Sequence, residues 1–234
     1  MPDLYTNGRY GALNPDWHEV DAKHKARAIA EMWTFCAVHP KVVLDVGCGT
    51  GSVLFMVKQL MDRAGYEHCQ YEGWDIARDA ISRARERESS RLTYVCGDFV
   101  TSERRADLIL CVDTFEHVPD DVGFLEVLRG RADWFLFRIP LDLSGLDIIR
   151  PRRILGARRQ WGHRHAYNRA LALEVLSEAG FRVEKELYHR LPLPNHRLRG
   201  KATDGIRRLL FLGAPHQTVN WLGGWSLLVF ASAA

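Results

Sequence analysis

The 234-residue sequence contains no apolar run approaching the ~20 residues of a membrane span. It also contains no internal repeat, no low-complexity stretch and no Gly/Ser linker. The first absence argues against a helical membrane protein and against a membrane partner. The others leave one domain with an elaborated end as the expected organisation. Residues 1–21 lack the apolar core of a secretory signal. The five cysteines include no CxxC pair, so neither a disulfide framework nor a zinc ribbon is expected. Cys48 and Cys96 sit in or beside apolar runs, where free buried thiols are common, and a reducing, cytoplasmic compartment follows. Acidic residues are scarce in one region only. Residues 150–208 carry 15 Lys+Arg against 5 Asp+Glu, a balance of +10, while residues 1–149 carry 17 against 24, a balance of −7. A basic region of this kind attracts an anionic ligand or a nucleic acid.

What is present is ordinary globular material, 47% hydrophobic and 26% charged. Its pattern alternates strand and helix. Ala26, Ile29, Ala30, Trp33 and Ala37 share one face of a helix over 21–38, which Pro40 ends. KVVLDV (41–46) reads as a buried strand. Helix 52–64 stops at Gly65, strand 70–75 and helix 77–88 follow, and strands 92–98, 107–113 and 134–140 continue the series around a helix near 121–130. A later helix over 167–179, with Ala170, Leu173, Leu176 and Ala179 inward, stops at Gly180. FRVEKELY (181–188) and WSLLVFAS (225–232) complete a doubly wound α/β sheet, with the late pair antiparallel at one edge. Between them, residues 189–224 hold many prolines and glycines and one possible short helix at 203–211. Together with the first 20 residues they are expected to close over a pocket.

The sharpest motif is Asp45-Val46-Gly47-Cys48-Gly49-Thr50-Gly51, directly after a buried strand and before a helix. Alternate glycines permit a tight turn and close approach of a ligand to the backbone at a helix N-terminus. Ser52 replaces the third glycine of the dinucleotide fingerprint, which argues against a nicotinamide or flavin enzyme. Asp75 ends the next strand, where a carboxylate can accept both hydroxyls of a ribose. Asp98 follows the third strand, where it either caps a turn or meets an adenine amino group, with Ile76 and Phe99 flanking the ring.

The stretches VVLDVGCGTG, YEGWDIA, YVCGDF and DLILCVDTFEHVPD resemble, as an ordered set, the class I S-adenosylmethionine-dependent methyltransferases. The likeness runs over about residues 41–140 and continues weakly through the late helix and strand. It implies a Rossmann-like, seven-stranded, mostly parallel sheet with one reversed edge strand. It also implies S-adenosyl-L-methionine as cofactor, with Asp45, Gly47, Gly49 and Gly51 around its methionine end, Asp75 at the ribose and Asp98 at the adenine. Asp113, closing the fourth strand, joins this group. On this reading 1–40 is a helical cap, 41–140 the cofactor core and 141–234 the acceptor side.

A sulfonium carries its own leaving group, so methyl transfer needs no metal, and none is expected. An alcohol acceptor needs a general base. His163, His165 and His117 are the candidates, the first two in a loop before the late helix and the third beside Glu116. Arg138, Asp142 and Arg150 are candidate acceptor-binding residues, in a region that also holds Arg152, Arg153, Arg158 and Arg159. The expected partner is a small-molecule acceptor that can carry an anionic group, methylated on oxygen, such as a sugar, glycan precursor or specialised metabolite. The alternatives are an RNA or tRNA methyltransferase and a non-catalytic cofactor-binding protein.

Overall fold

The computed structural model describes residues 3–17, 19–191 and 198–234. Seven strands form one sheet: β1 (Val42–Val46), β2 (Gln70–Asp75), β3 (Leu92–Cys96), β4 (Leu108–Val112), β5 (Trp134–Pro140), β6 (Phe181–His189) and β7 (Ser226–Ala233). The order is β3-β2-β1-β4-β5-β7-β6. Strands β1 to β5 pair in parallel, and β7 runs antiparallel to both β5 and β6. The one reversed strand is therefore β7, lying one place in from the edge that β6 forms.

The helices are α1 (Asp3–Thr6), α2 (Arg9–Leu13), α3 (Glu19–Cys36), α4 (Ser52–Arg63), α5 (Arg78–Ala84), α6 (Asp121–Arg129), α7 (Gly145–Ile149), α8 (Arg152–Gly156), α9 (Arg169–Glu178), α10 (Leu198–Gly213) and α11 (Pro215–Leu222). The central strands are apolar apart from Asp45 in β1 and Arg138 in β5, because both faces are covered. Their period of two divides the core. Val43, Leu108 and Leu110 join Ile29 and Trp33 of α3 and Leu54 and Val57 of α4 on one side. Leu44, Ile109 and Cys111 join Phe124 and Leu128 of α6 and Leu176 of α9 on the other. Trp33 is fully buried and donates Nε1–H to the Val38 carbonyl at 2.9 Å, so its burial leaves no polar atom unpaired.

Four sequence expectations change. Ala37 is exposed at φ +54, because α3 has ended and the chain turns back to bring Val38 beneath Trp33. Ala170 is exposed. Asn168 caps α9 by accepting from Leu171 N at 2.9 Å, and the resulting phase turns Ala172, Leu176 and Ala179 inward. Cys96 is exposed because it ends β3, an edge strand, whereas Cys48 is buried. The connection expected to be irregular contains two helices, α10 and α11. Gly200 and Gly205 lie inside α10 and Pro215 opens α11 as its first residue. Pro192 and Pro194 lie outside the described residues.

Ser226 pairs with both His189 and Pro140. The chain thus leaves β6 and enters β7 at the same edge, the carboxyl end of the parallel strands. Both ends of the 190–225 connection therefore lie at the edge that carries the glycine loop.

Candidate active site

The loop after β1 takes left-handed backbone angles at Gly47, Gly49 and Gly51 (φ +81, +55 and +73). The three glycines are needed for different reasons. A Cβ at Gly47 would fall 2.3 Å from Thr114, and one at Gly51 would fall 2.4 Å from the Tyr94 ring. At Gly49 the nearest atom, on Trp17, is 4.0 Å away. The outer glycines therefore permit packing, and the middle one faces open space where a ligand can approach. Helix α4 begins at once, and Gly51 at its N-cap offers no side-chain acceptor, which leaves first-turn amides available to an anion.

Acidic side chains surround this loop. Asp45 is buried, and its Oδ1 has no hydrogen-bond partner. Burial, followed by the charge of Asp75, raises its pKa to about 7. Asp75 accepts from Gly49 N and Ala77 N, both at 2.8 Å, which locks strand end to loop. Burial raises its pKa while those amides pull it down. Asp98 is exposed and accepts from Val100 N at 3.0 Å, so it caps the turn at Phe99–Thr101 while bordering the cavity. Ile76 and the buried Phe99 supply apolar wall, Phe99 meeting Trp74 edge-on.

Asp113 ends the next parallel strand at φ +52. Arg138 bonds both of its carboxylate oxygens, and Lys25 of α3 lies at 2.9 Å. Burial opposes its ionisation, but Arg138 and Lys25 outweigh that and hold it well below the usual carboxylate range. Arg138 is itself buried and also reaches His189 Nδ1 at 3.3 Å. Both Asp113 and Arg138 border the cavity, and each is neutralised by the other.

Beyond this pair stand two histidines. His163 Nδ1 is 2.6 Å from Asp142 Oδ2. His117 Nδ1 is 2.9 Å from Tyr5 Oη, and the same hydroxyl donates to the Trp161 carbonyl at 2.9 Å. A hydroxyl has one hydrogen, so with that hydrogen on the Trp161 carbonyl, His117 Nδ1 is the donor to Tyr5. Burial, then the neighbouring His163, lowers the His117 pKa to about 4. The two rings meet edge-on at 4.8 Å. Glu116 is buried with neither carboxyl oxygen hydrogen-bonded, and burial followed by the charge of Asp113 pushes its pKa well up. Glu116, His117 and His163 each bring a potential ligand atom within 4.8 Å of the others, a grouping that chain spacing alone does not reveal.

Of these groups, Asp45, Gly47, Gly49, Asp75, Asp98, Asp113, Arg138, His117, Asp142 and His163 line one cavity of about 1560 Å³, while Glu116 is buried behind its wall. Single-ligand pockets span roughly 300–1,000 Å³, so this one has room for two molecules. The glycine loop, Asp45, Asp75, Ile76, Asp98 and Phe99 form one end. His117, Asp142, Trp161, His163, Arg158, Arg159 and Arg164 form the other. Three sequence candidates fall outside it, the first being Gly51, which packs against Tyr94 and does not line the cavity. His165 is held by Val118 O at 2.9 Å and stacks on Tyr167, so it is a structural histidine. Arg150 ends α7 just before Pro151 and points to solvent. Of the described residues in 189–224, only Leu191 lines the cavity.

The N-terminal helices contribute more than the sequence suggests. Leu4, Tyr5, Arg9, Tyr10 and Trp17 all line the cavity, and Asn14 Nδ2 donates to the Gln160 carbonyl at 3.0 Å. Tyr5 stacks near Tyr10, and Tyr10 near Trp17, at 4.8 and 4.9 Å. Three aromatics in a polar stretch without periodicity were the available signal. Lys25 was also visible, as a lysine on the apolar stripe of Ala22, Ala26 and Ile29.

Comparison with known proteins gives the same picture. Residues 44–132 match the methyltransferase domain family model. The ubiquinone biosynthesis O-methyltransferase of Hydrogenovibrio crunogenus is 27% identical over 126 residues, 51% of this chain and 46% of that protein. Its counterpart from Actinobacillus pleuropneumoniae is 31% identical over 110 residues, 42% of this chain and 44% of that protein. The chain thus spans a little under half the length of these relatives. Magnesium protoporphyrin IX methyltransferase from Synechocystis, solved with SAH bound, superposes with a TM-score of 0.62 at 14% identity, covering 92% of this chain and 84% of that one. The domain match coincides with the strands that present the glycine loop, Asp75 and Asp113 to the cavity, and over residues 44–132 the chain is a methyltransferase domain with the fold of the S-adenosylmethionine-dependent enzymes.

Proposed function

We propose that the protein methylates a hydroxyl of a small, anionic acceptor, with His163 as general base. The donor end of the cavity fits an S-adenosyl group. The unpartnered Asp45 Oδ1, the open space at Gly49 and the uncapped start of α4 suit the charged methionine end. Asp75 keeps free lone pairs for ribose hydroxyls, and Ile76 and Phe99 offer apolar surface for a base. Bound there, S-adenosylmethionine supplies a methyl on a cationic sulfur, so the protein need not activate a leaving group.

The remaining work is positioning and deprotonation. The observation that carries the reading is the His163–Asp142 pair on the cavity wall. Asp142 fixes the proton on Nδ1 and leaves Nε2 bare to accept the proton of the attacking hydroxyl. His117, neutral and tied to Tyr5, orients the neighbouring wall. Holding oxygen and methyl in line contributes up to ~7–11 kcal/mol. Arg158, Arg159 and Arg164 at the same end favour a carboxylate or phosphate on the acceptor. The test is turnover against a pool of anionic hydroxylated metabolites with a methyl-labelled donor. Label in an ether product supports the reading, and label only in an amine product contradicts it.

A further inference from the structure

Among the described residues, seven large apolar side chains stand exposed on helices α7, α8, α10 and α11. They are Ile148, Ile149, Leu155, Leu209, Leu210, Leu212 and Trp221, with Ile149 at 70% and Leu212 at 82% exposure. The helices pack together, α7 on α11 and α11 on α10. Trp221 rests so close to Gly145 that a Cβ there would lie 2.4 Å from its ring. The same face is basic. Residues 148–164 hold six arginines and no acid, and Arg150, Arg152 and Arg159 are exposed.

We propose that this face docks the protein on an anionic lipid bilayer. Apolar side chains interleaved with arginine form the surface that settles at a headgroup boundary, with the apolar groups below and the cations among the phosphates. No helix of the described residues is long and apolar enough to cross a membrane, so the contact is interfacial, a mode that departs from the sequence expectation of no membrane partner because that expectation rested on the missing span alone. Charge complementarity selects this occupant over the others. A second copy paired through the same face would set arginine against arginine. A nucleic acid would satisfy the arginines but leave Ile148, Ile149 and Leu212 in water. Leu155, Arg158 and Arg159 belong to the cavity wall as well, so docking places the cavity mouth at headgroup level.

Vesicle flotation of the full chain tests the proposal, with phosphatidylglycerol–phosphatidylcholine vesicles against phosphatidylcholine alone. The protein should float with the anionic vesicles at low salt, release as salt rises, and ignore the neutral ones. A positive charge near an anionic surface is worth about fivefold in affinity. The double variant Arg150→Gln/Arg152→Gln should therefore bind roughly 25-fold more weakly, and Ile149→Ser/Leu212→Ser should also lose binding. None of these four residues lines the cavity, so SAH affinity by calorimetry should match wild type in each variant and report an intact fold. No flotation with anionic vesicles, equal flotation with neutral ones, or unchanged flotation of both variants would overturn the proposal. So would dimerisation or RNA binding that these substitutions abolish in a protein that does not float.

Discussion

His163 and Asp142 are joined from Nδ1 to Oδ2 at 2.6 Å, which leaves Nε2 as the ring nitrogen for the proposed base role. Asp142→Asn keeps the shape but can offer its amide N–H in place of an acceptor, which favours the opposite tautomer. With Nε2 then protonated, kcat should fall by ~10²-fold or more while SAH affinity stays near wild type. Steady-state kinetics beside calorimetry checks this. Equal losses in both would mean that Asp142 supports the fold rather than the base.

Asp45 should leave a signature in stability against pH. Its pKa is about 7 in the folded chain and ~3.9 when unfolded. As pH rises, the unfolded chain releases this proton first, so stability falls between about pH 4 and 7 and then levels. The slope is ~1.4 kcal/mol per pH unit for one proton. Asp45→Asn removes that contribution, so its stability relative to wild type should climb across this window and flatten above it. Denaturation series at matched pH read the difference directly. A difference that stays constant from pH 4 to 7 would place the Asp45 pKa near its ordinary value.

A cationic donor beside Asp45 also favours the carboxylate. At pH 6, S-adenosylmethionine binding should therefore release close to one proton. Calorimetry in two buffers of different ionisation enthalpy measures it. No buffer dependence would remove Asp45 from contact with the donor's charge.

His117 should be neutral, with its proton on Nδ1, throughout pH 5–9, because its pKa is lowered to about 4 and Tyr5 accepts from Nδ1. Nitrogen-15 shifts of the ring should show one tautomer and no titration in that range. Tyr5→Phe leaves the Nδ1–H and the Trp161 carbonyl without their partner and should cost ~1–3 kcal/mol of stability. A ring that titrates near pH 6.5 in wild type would contradict the assigned geometry.

The glycine loop should divide into two kinds of position. Gly47→Ala drives a methyl into Thr114 and should lower melting temperature and SAH affinity together. Gly49→Ala meets no neighbour within 3.9 Å, its nearest atom being at 4.0 Å. It carries only the left-handed backbone penalty, about 1–2 kcal/mol, so affinity should fall more than stability. Melting curves with and without SAH separate the two.

Much of the fold was legible because its signals are local. β2 and β5 fall on the residues read as strands 70–75 and 134–140, and Gly65 and Gly180 adopt the positive φ of helix stops. That Asp45, Gly47, Gly49 and Asp75 share one cavity was legible for the same reason, since they lie at strand ends that periodicity locates. The acceptor end was not. His163 and His165 are two residues apart in one loop, yet one reaches the cavity and the other is drawn to Val118 O. That choice depends on a fold-back onto the Phe115–His117 turn, where Arg164 N and His165 N donate to the Glu116 carbonyl. Tyr5 meets His117 across 112 residues, a contact that no local pattern encodes.

The most direct test of the account follows a methyl-labelled donor through wild type and His163→Ala in one metabolite pool, with SAH affinity measured for both. Wild type should form a labelled ether of an anionic hydroxyl compound. The variant should bind SAH within about twofold of wild type yet form that product ~10²–10⁴-fold more slowly. Equal rates in the two proteins, or a wild-type product labelled on nitrogen, would contradict the assignment of His163 as the base for oxygen methylation.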